Sequence, residues 1–136
     1  MIFEDCLPLC IVSPSAVMMH RSLFDLAGLF DEKLPACEDY DLWLRISCRY
    51  PIYLIDTPLI IKRGGHADQL SKASRLDRFR IQALQKLLES DLLTESQYDK
   101  ALQTLIYKCR IYSKGCFKHG RTQEADYYEK LPEKYT

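Results

Sequence analysis

Glu38 and Asp39 are adjacent carboxylates at the predicted beginning of an amphipathic helix. There they meet backbone N–H groups that have no partner within the helix, together with the positive end of the helix dipole, and both favour the ionised carboxylate. An ionised Asp39 can accept a proton from a hydroxyl group, which is the role of a general base. The same pair also fits an ordinary acidic helix N-terminus that only caps N–H groups. The residue types alone leave both interpretations open.

Residues 39–41 form an Asp-x-Asp motif, in which the two carboxylates can bind a divalent metal. A metal-binding version would follow an apolar strand and lie in a loop, whereas this one lies inside the predicted helix. We therefore exclude it as a metal site. Asp41 stands four residues before Arg45, and this spacing predicts an exposed ion pair worth about 0.3 to 0.5 kcal/mol.

The helix that carries these residues has an apolar face and defined boundaries. Tyr40 and Trp43 lie on that face at helical spacing, so Trp43 is predicted to be a core anchor rather than a platform for a sugar ring. Pro51 ends the helix. A preceding helix opens near Ser22, and Gly28 stands where a C-terminal glycine cap belongs. The two helices frame the turn that leads to the carboxylate pair.

Four short β-prone runs accompany these helices, at residues 7–12, 16–19, 52–55 and 59–62. Apolar runs of this length, bounded by turn residues, are typical of strands. Three helical patterns follow toward the C-terminus, one of them after a capping box formed by Thr94 and Gln97. The sequence therefore predicts an α/β or α+β fold, in which a small mixed sheet has flanking helices and a C-terminal helical extension of about three helices.

Composition narrows the classes of function. Lys plus Arg equals Asp plus Glu, at 19 each, so no net field would draw nucleic acid or an anionic lipid surface. No apolar run reaches about 20 residues, so we expect no membrane span, and we expect no export signal. The six cysteines include no C-x-x-C pair and are expected to be reduced structural thiols. These features predict a cytoplasmic protein.

Three segments in a fixed order carry a resemblance to a known family. They are residues 28–32 (GLFDE), residues 38–45 (EDYDLWLR) and residues 66–71 (HADQLS). Together they resemble the C-terminal, acceptor-side half of a family 2 glycosyltransferase of the GT-A fold. The resemblance extends over residues 10–71. It implies a partial glycosyltransferase domain at residues 1–72, with the helical extension, residues 73–136, packed on it.

The resemblance also implies a set of site residues. Asp39 would be the general base that takes the proton from the acceptor hydroxyl as this oxygen attacks the anomeric carbon of a nucleotide sugar, and Glu38 would orient the acceptor. His66, Gln69 and Ser71 would lie in the loop that faces the donor diphosphate. A divalent metal, Mn²⁺ or Mg²⁺, is expected only where a donor site is completed, with His66 as the candidate ligand. The implied partners are a nucleotide-sugar donor and a hydroxyl acceptor.

The donor-binding half that such enzymes require has no counterpart in this sequence, since neither its metal-binding Asp-x-Asp nor a glycine-rich phosphate loop is found. The chain alone is therefore expected not to transfer sugar. Three explanations stay open: a fragment of a split or degenerate gene, a truncated coding sequence, or a subunit whose site is completed by another chain or a second copy. The rival hypothesis is a helical module for protein interaction or dimerisation without catalysis. It requires an open aromatic groove on the C-terminal helices, formed by Tyr98, Tyr107 and Tyr112.

Overall fold

The computed structural model describes residues 1–61 and 76–136, and its regular secondary structure in these two ranges is helical. The helices, in chain order, are α1 (Phe3–Cys6), α2 (Ser22–Ala27), α3 (Glu38–Ser47), α4 (Leu76–Leu88), α5 (Glu95–Lys118) and α6 (Thr122–Lys130). Short 3₁₀ turns occupy Pro14–Ala16 and Leu131–Tyr135. None of these helices combines the length and apolar character needed to cross a bilayer.

The predicted mixed sheet is wrong, because residues 1–61 and 76–136 contain no strand. A strand requires a neighbour that takes up its N–H and C=O groups, and β-propensity largely measures how well side chains pack on such a paired surface. The described ranges supply no neighbouring strand. The β-prone runs therefore form turns, bends and irregular chain instead, at residues 7–12, 16–19, 52–55 and 59–61.

Residues 52–61, which we call the exposed segment, leave an apolar surface in water. Six of their large apolar side chains are from 50% to 88% exposed. These side chains are Tyr53, Leu54, Ile55, Leu59, Ile60 and Ile61. So many adjacent exposed apolar side chains are unusual for the surface of a monomer. A sheet would have covered one face of this segment, whereas here these apolar side chains stay exposed to water.

The main core lies between α3 and the C-terminal helices. Tyr40 of α3, Leu84 of α4 and Leu105 of α5 are buried together in one apolar cluster. At the other end of the cluster, the rings of Tyr112 and Tyr128 meet edge to face with their centroids 4.6 Å apart, which holds α5 against α6. The three predicted C-terminal helices are confirmed, and they share this core with α3.

A second, smaller cluster forms on the opposite side of α3. Leu42, Trp43 and Ile46 are buried there, with Phe24 and Ala27 of α2 packed against them. The Trp43 side chain is only 4% exposed. The prediction that Trp43 anchors the core is confirmed, but the prediction that it shares a face with Tyr40 is wrong, because Tyr40 lies in the main core on the other side of α3. The helix is therefore held on two faces, and its N-terminal end carries the carboxylate pair.

The capping box at the beginning of α5 is also confirmed. The hydroxyl of Thr94 accepts the N–H of Gln97 at 3.3 Å, and the side-chain oxygen of Gln97 accepts the N–H of Thr94 at 2.9 Å. The amide nitrogen of the same Gln97 donates to the carbonyl of Cys48 at 2.8 Å. One glutamine thus caps α5 and joins it to the end of α3.

The three tyrosines required by the interaction-module hypothesis do not form an open groove. Tyr112 is buried against Tyr128. The hydroxyl of Tyr98 donates to the carbonyl of Tyr135 at 3.1 Å. Tyr107 is the one of the three whose ring is largely exposed, so nothing in this arrangement favours a peptide-binding groove.

Gly28 ends α2, as predicted, and it also lies against α3. Its N–H donates to the carbonyl of Phe24 at 3.0 Å, and its backbone has φ 79° and ψ 174°. The guanidinium of Arg45 donates to the carbonyl oxygens on both sides of this glycine, those of Ala27 and Leu29. The turn between α2 and α3 is therefore fixed by a glycine conformation and by an arginine of the helix it leads to.

Gly28→Ala is expected to lower the free energy of unfolding by about 1 to 3 kcal/mol, because this region of backbone space is almost restricted to glycine. The added Cβ would also lie 3.2 Å from Nη1 of Arg45. Urea unfolding provides the measurement. The matched control is Gly115→Ala in α5, where a Cβ meets nothing within 4 Å and should raise stability by about 0.5 to 1 kcal/mol. Equal effects of the two substitutions would contradict the prediction.

Candidate functional site

The carboxylate pair lies in the first turn of α3, and the N-cap position before it belongs to Cys37. Cys37 has φ 64° and ψ 21°, a left-handed conformation that residues with side chains rarely adopt, and its side chain makes no capping hydrogen bond. Instead, Oδ1 of Asp39 accepts the N–H of Tyr40 at 2.7 Å. Glu38 and Asp39 are both half-buried. Asp39 is thus oriented by the backbone and remains accessible from solvent.

Cys10 lies beside Asp39, although the two residues are far apart in the sequence. Its thiol donates to the carbonyl of Val12 at 3.3 Å. Burial, and then the negative charge of Asp39, raise the pKa of Cys10 to about 12. The thiol therefore stays protonated at neutral pH, with its one hydrogen on the carbonyl of Val12, and Cys10 is not an activated nucleophile.

Tyr40 holds the segment that carries Cys10 in place. Its hydroxyl donates to the carbonyl of Leu7 at 2.5 Å, and its ring is buried in the main core. Burial raises the pKa of Tyr40, so the phenol remains a neutral donor. Tyr40 therefore positions the N-terminal segment that brings Cys10 next to Asp39.

Arg80 of α4 brings a positive charge to the same end of α3. Burial raises the pKa of Cys37, and the charge of Arg80 opposes this rise. Nη1 of Arg80 pairs with Asp77 at 3.0 Å, while its Nε is buried without a hydrogen-bond partner among the described residues. The sequence did not indicate Cys10 or Arg80 as part of this site, because periodicity along one helix does not reveal which distant residues face it.

Asp41 is buried, with only 2% of its surface exposed. Its predicted pairing with Arg45 is confirmed at 2.8 Å, but the predicted exposure of the pair is wrong. The second oxygen of Asp41 pairs with Lys86 of α4 at 2.8 Å, and Lys86 also contacts Asp31. Both carboxylate oxygens are thus used in a structural network that joins α3, α4 and the turn before α3.

The predicted donor-loop residues His66, Gln69 and Ser71 lie outside the described residues. Within residues 1–61 and 76–136, no three His, Cys, Asp or Glu side chains converge closely enough to hold a metal ion. The part of the site that the structure describes therefore consists of the two carboxylates and the groups around them.

This arrangement is suited to accepting a proton. A general base must come within about 2.6 to 3.2 Å of the hydroxyl that it deprotonates, and the half-buried Asp39 can be approached by a small ligand. The N–H of Tyr40 holds the carboxylate of Asp39 in position, while the neighbouring Cys10 thiol stays protonated.

Comparison with known proteins gives partial similarities. Over 57 residues, 42% of its length, the chain is 39% identical to an uncharacterized glycosyltransferase of Rickettsia conorii, and this stretch covers 9% of that protein. Over 83 residues, 57% of its length, it is 32% identical to an uncharacterized glycosyltransferase of Rickettsia bellii and covers 12% of it. The chain thus spans about a tenth of these curated relatives. No family model and no solved structure matches it. The partial similarities support a relationship between this chain and glycosyltransferases.

Proposed function

We propose that this chain provides the acceptor side of a glycosyl transfer, with Asp39 as the general base and Glu38 orienting the acceptor hydroxyl. One observation carries the proposal: the accessible carboxylate of Asp39, held by the N–H of Tyr40 at 2.7 Å, occurs in a chain related to glycosyltransferases. Assignment to family 2, which rests on the segments at residues 28–32 and 38–45, is part of the same proposal.

In the proposed step, the acceptor hydroxyl donates a hydrogen bond to Asp39. Asp39 takes the proton while the hydroxyl oxygen forms a bond to the anomeric carbon of the donor, and the nucleoside diphosphate leaves with the electron pair of the broken bond. Glu38 offers a second acceptor to the incoming sugar. The N–H of Tyr40 keeps the Asp39 carboxylate oriented for the next hydroxyl.

We also propose that a second chain or a second copy supplies the groups that bind the nucleotide sugar and its Mn²⁺ or Mg²⁺. Both oxygens of Asp41 are held in ion pairs, so the Asp-x-Asp sequence of α3 does not present two carboxylates to a metal. We place the protein in the cytoplasm, where the buried thiols of Cys6, Cys48 and Cys109 would remain reduced.

The acceptor assignment predicts that the purified chain binds a sugar without any nucleotide. In a titration with mono- and oligosaccharides, backbone amide NMR signals from Cys37 to Tyr40 should shift and saturate. Glu38→Gln should weaken that binding by about tenfold, the value of a hydrogen bond to a charged group. Glu95→Gln is the matched control, because Glu95 is likewise an acid in the first turn of a helix. Unchanged signals at residues 37–40 with every sugar would contradict the assignment.

The donor assignment is tested separately by thermal melts of the same chain with UDP or GDP and Mn²⁺. A ligand that binds only the folded state raises the midpoint of unfolding. We expect no rise. A rise that requires both nucleotide and metal would show that this chain has its own donor site and would leave the acceptor assignment untouched.

A further inference from the structure

A surface pocket of about 300 Å³ lies between the N-terminal segment and α5. Its lining includes Leu7 and Pro8 on one side and Lys100, Tyr107 and Lys108 of α5 on the other. The carboxylate pair of α3 is not part of this lining, so the proposed glycosyl transfer does not account for the pocket.

Lys108 is an unusual feature of this pocket because it is a buried cation. The residue is only 7% exposed. Its Nζ donates to the carbonyl of Pro8 at 2.8 Å and lies 3.5 Å from Oδ1 of Asp77. An ammonium group has three N–H donors, and the carbonyl of Pro8 and the carboxylate of Asp77 take up two of them and leave the third. Burial accordingly lowers the pKa of Lys108.

The other polar side chains of the pocket include a second cation. Lys100 contributes a second ammonium, which lies 3.5 Å from the Glu4 carboxylate, and these two side chains are 48% and 63% exposed. Gln103 adds an amide and Tyr107 adds a phenol. The polar lining thus consists of two cations, one acid and three neutral side chains that can donate or accept, Gln103, Thr104 and Tyr107. A ligand with several anionic oxygens would match the two cations.

The size of the pocket adds a second constraint. One water molecule occupies about 30 Å³ in the liquid, so the pocket has room for considerably more than a bare inorganic anion. Leu7 and Pro8 form an apolar wall against which an organic group could pack.

We propose that this pocket binds a small phosphate ester, with Lys108 and Lys100 on the phosphate oxygens and the organic part against Leu7 and Pro8. This site goes beyond the proposed glycosyl transfer and does not depend on it. Glu4 competes with the ligand for Lys100, so its carboxylate limits the affinity.

The test is an NMR titration of the full chain with glycerol 3-phosphate and, in a second arm, with inorganic phosphate. We expect saturable shifts of the Tyr107 and Lys108 amides in both arms, with the ester binding several-fold more tightly. Lys108→Met should weaken ester binding by about tenfold or more, and Glu4→Gln should strengthen it. The control is Lys118→Met, an exposed lysine at the end of α5.

Three results would overturn the proposal. The first is the absence of saturable shifts at the pocket in both arms, and the second is equal affinity for the ester and for inorganic phosphate. The third is unchanged ester binding in Lys100→Met, a half-exposed position where the substitution leaves the core intact. Since these signals come from α5, their outcome is separate from that of the sugar titration, which is read at residues 37–40.

Discussion

Asp39→Asn is expected to lower the rate of glycosyl transfer by about 100- to 10,000-fold, the usual contribution of a general base. Asparagine has nearly the same size, and its amide oxygen can still accept the N–H of Tyr40, but it cannot take up the proton of the acceptor. The measurement is transfer of labelled sugar from UDP- and GDP-sugars with Mn²⁺ by the chain mixed with an extract of its source cells, with the extract alone as the background, because the purified chain is not expected to transfer sugar by itself.

The control for this experiment is Asp126→Asn, which changes an exposed aspartate on α6. It should leave the transfer rate unchanged. Thermal melts should show that Asp39→Asn remains folded, since a carboxylate at a helix N-terminus contributes only about 0.3 to 1 kcal/mol. Transfer by Asp39→Asn at the wild-type rate would remove Asp39 from the proposed mechanism and return it to the role of an ordinary acidic residue in a first turn.

Asp41→Ala is expected to lower the free energy of unfolding by about 3 kcal/mol, the lower end of the cost of removing one partner from a buried ion pair. The substitution leaves Arg45, which is 16% exposed, without its carboxylate. Lys86 is 41% exposed and can turn toward water, so the loss should stay at the lower end. Urea unfolding gives the value directly.

A double-mutant cycle tests whether this loss comes from the ion pair itself. Asp41→Ala combined with Arg45→Met should cost less than the sum of the two single substitutions, because the pair is removed together. Asp126→Ala, on the exposed face of α6, should stay within about 0.5 kcal/mol of the wild type. A change below about 1 kcal/mol in Asp41→Ala would mean that the network does not stabilise the fold.

Local features of the chain were predictable from the sequence. The glycine cap at Gly28 and the capping box at Thr94 each depend on residues within one helical turn, and both are present. The pairing of Asp41 with Arg45 follows from a four-residue spacing on one helix. The helical spacing of Trp43 from Tyr40 and Ser47 predicts a buried side chain, and Trp43 is buried, although in the smaller cluster with Leu42 and Ile46.

Features that depend on distant contacts were not predictable in the same way. The burial of Asp41 results from Lys86 and Asp31, which lie on other elements, so the sequence spacing alone suggested an exposed pair. Cys10 joins Asp39 because Tyr40 reaches the carbonyl of Leu7. The prediction of a sheet was wrong for a related reason. A strand needs a neighbouring strand, and the β-prone runs within residues 1–61 do not pair with one another.

The exposed segment has a consequence for how the protein behaves at high concentration. Cross-β aggregates grow from uninterrupted runs of six or seven β-prone residues that contain no proline. Asp56 and Pro58 divide this segment into apolar runs at residues 52–55 and 59–61, each shorter than that length. The proline lacks the N–H that a stacked strand would have to donate. The same interruption that separates the two runs therefore opposes amyloid-like stacking of this segment while its apolar side chains remain in water.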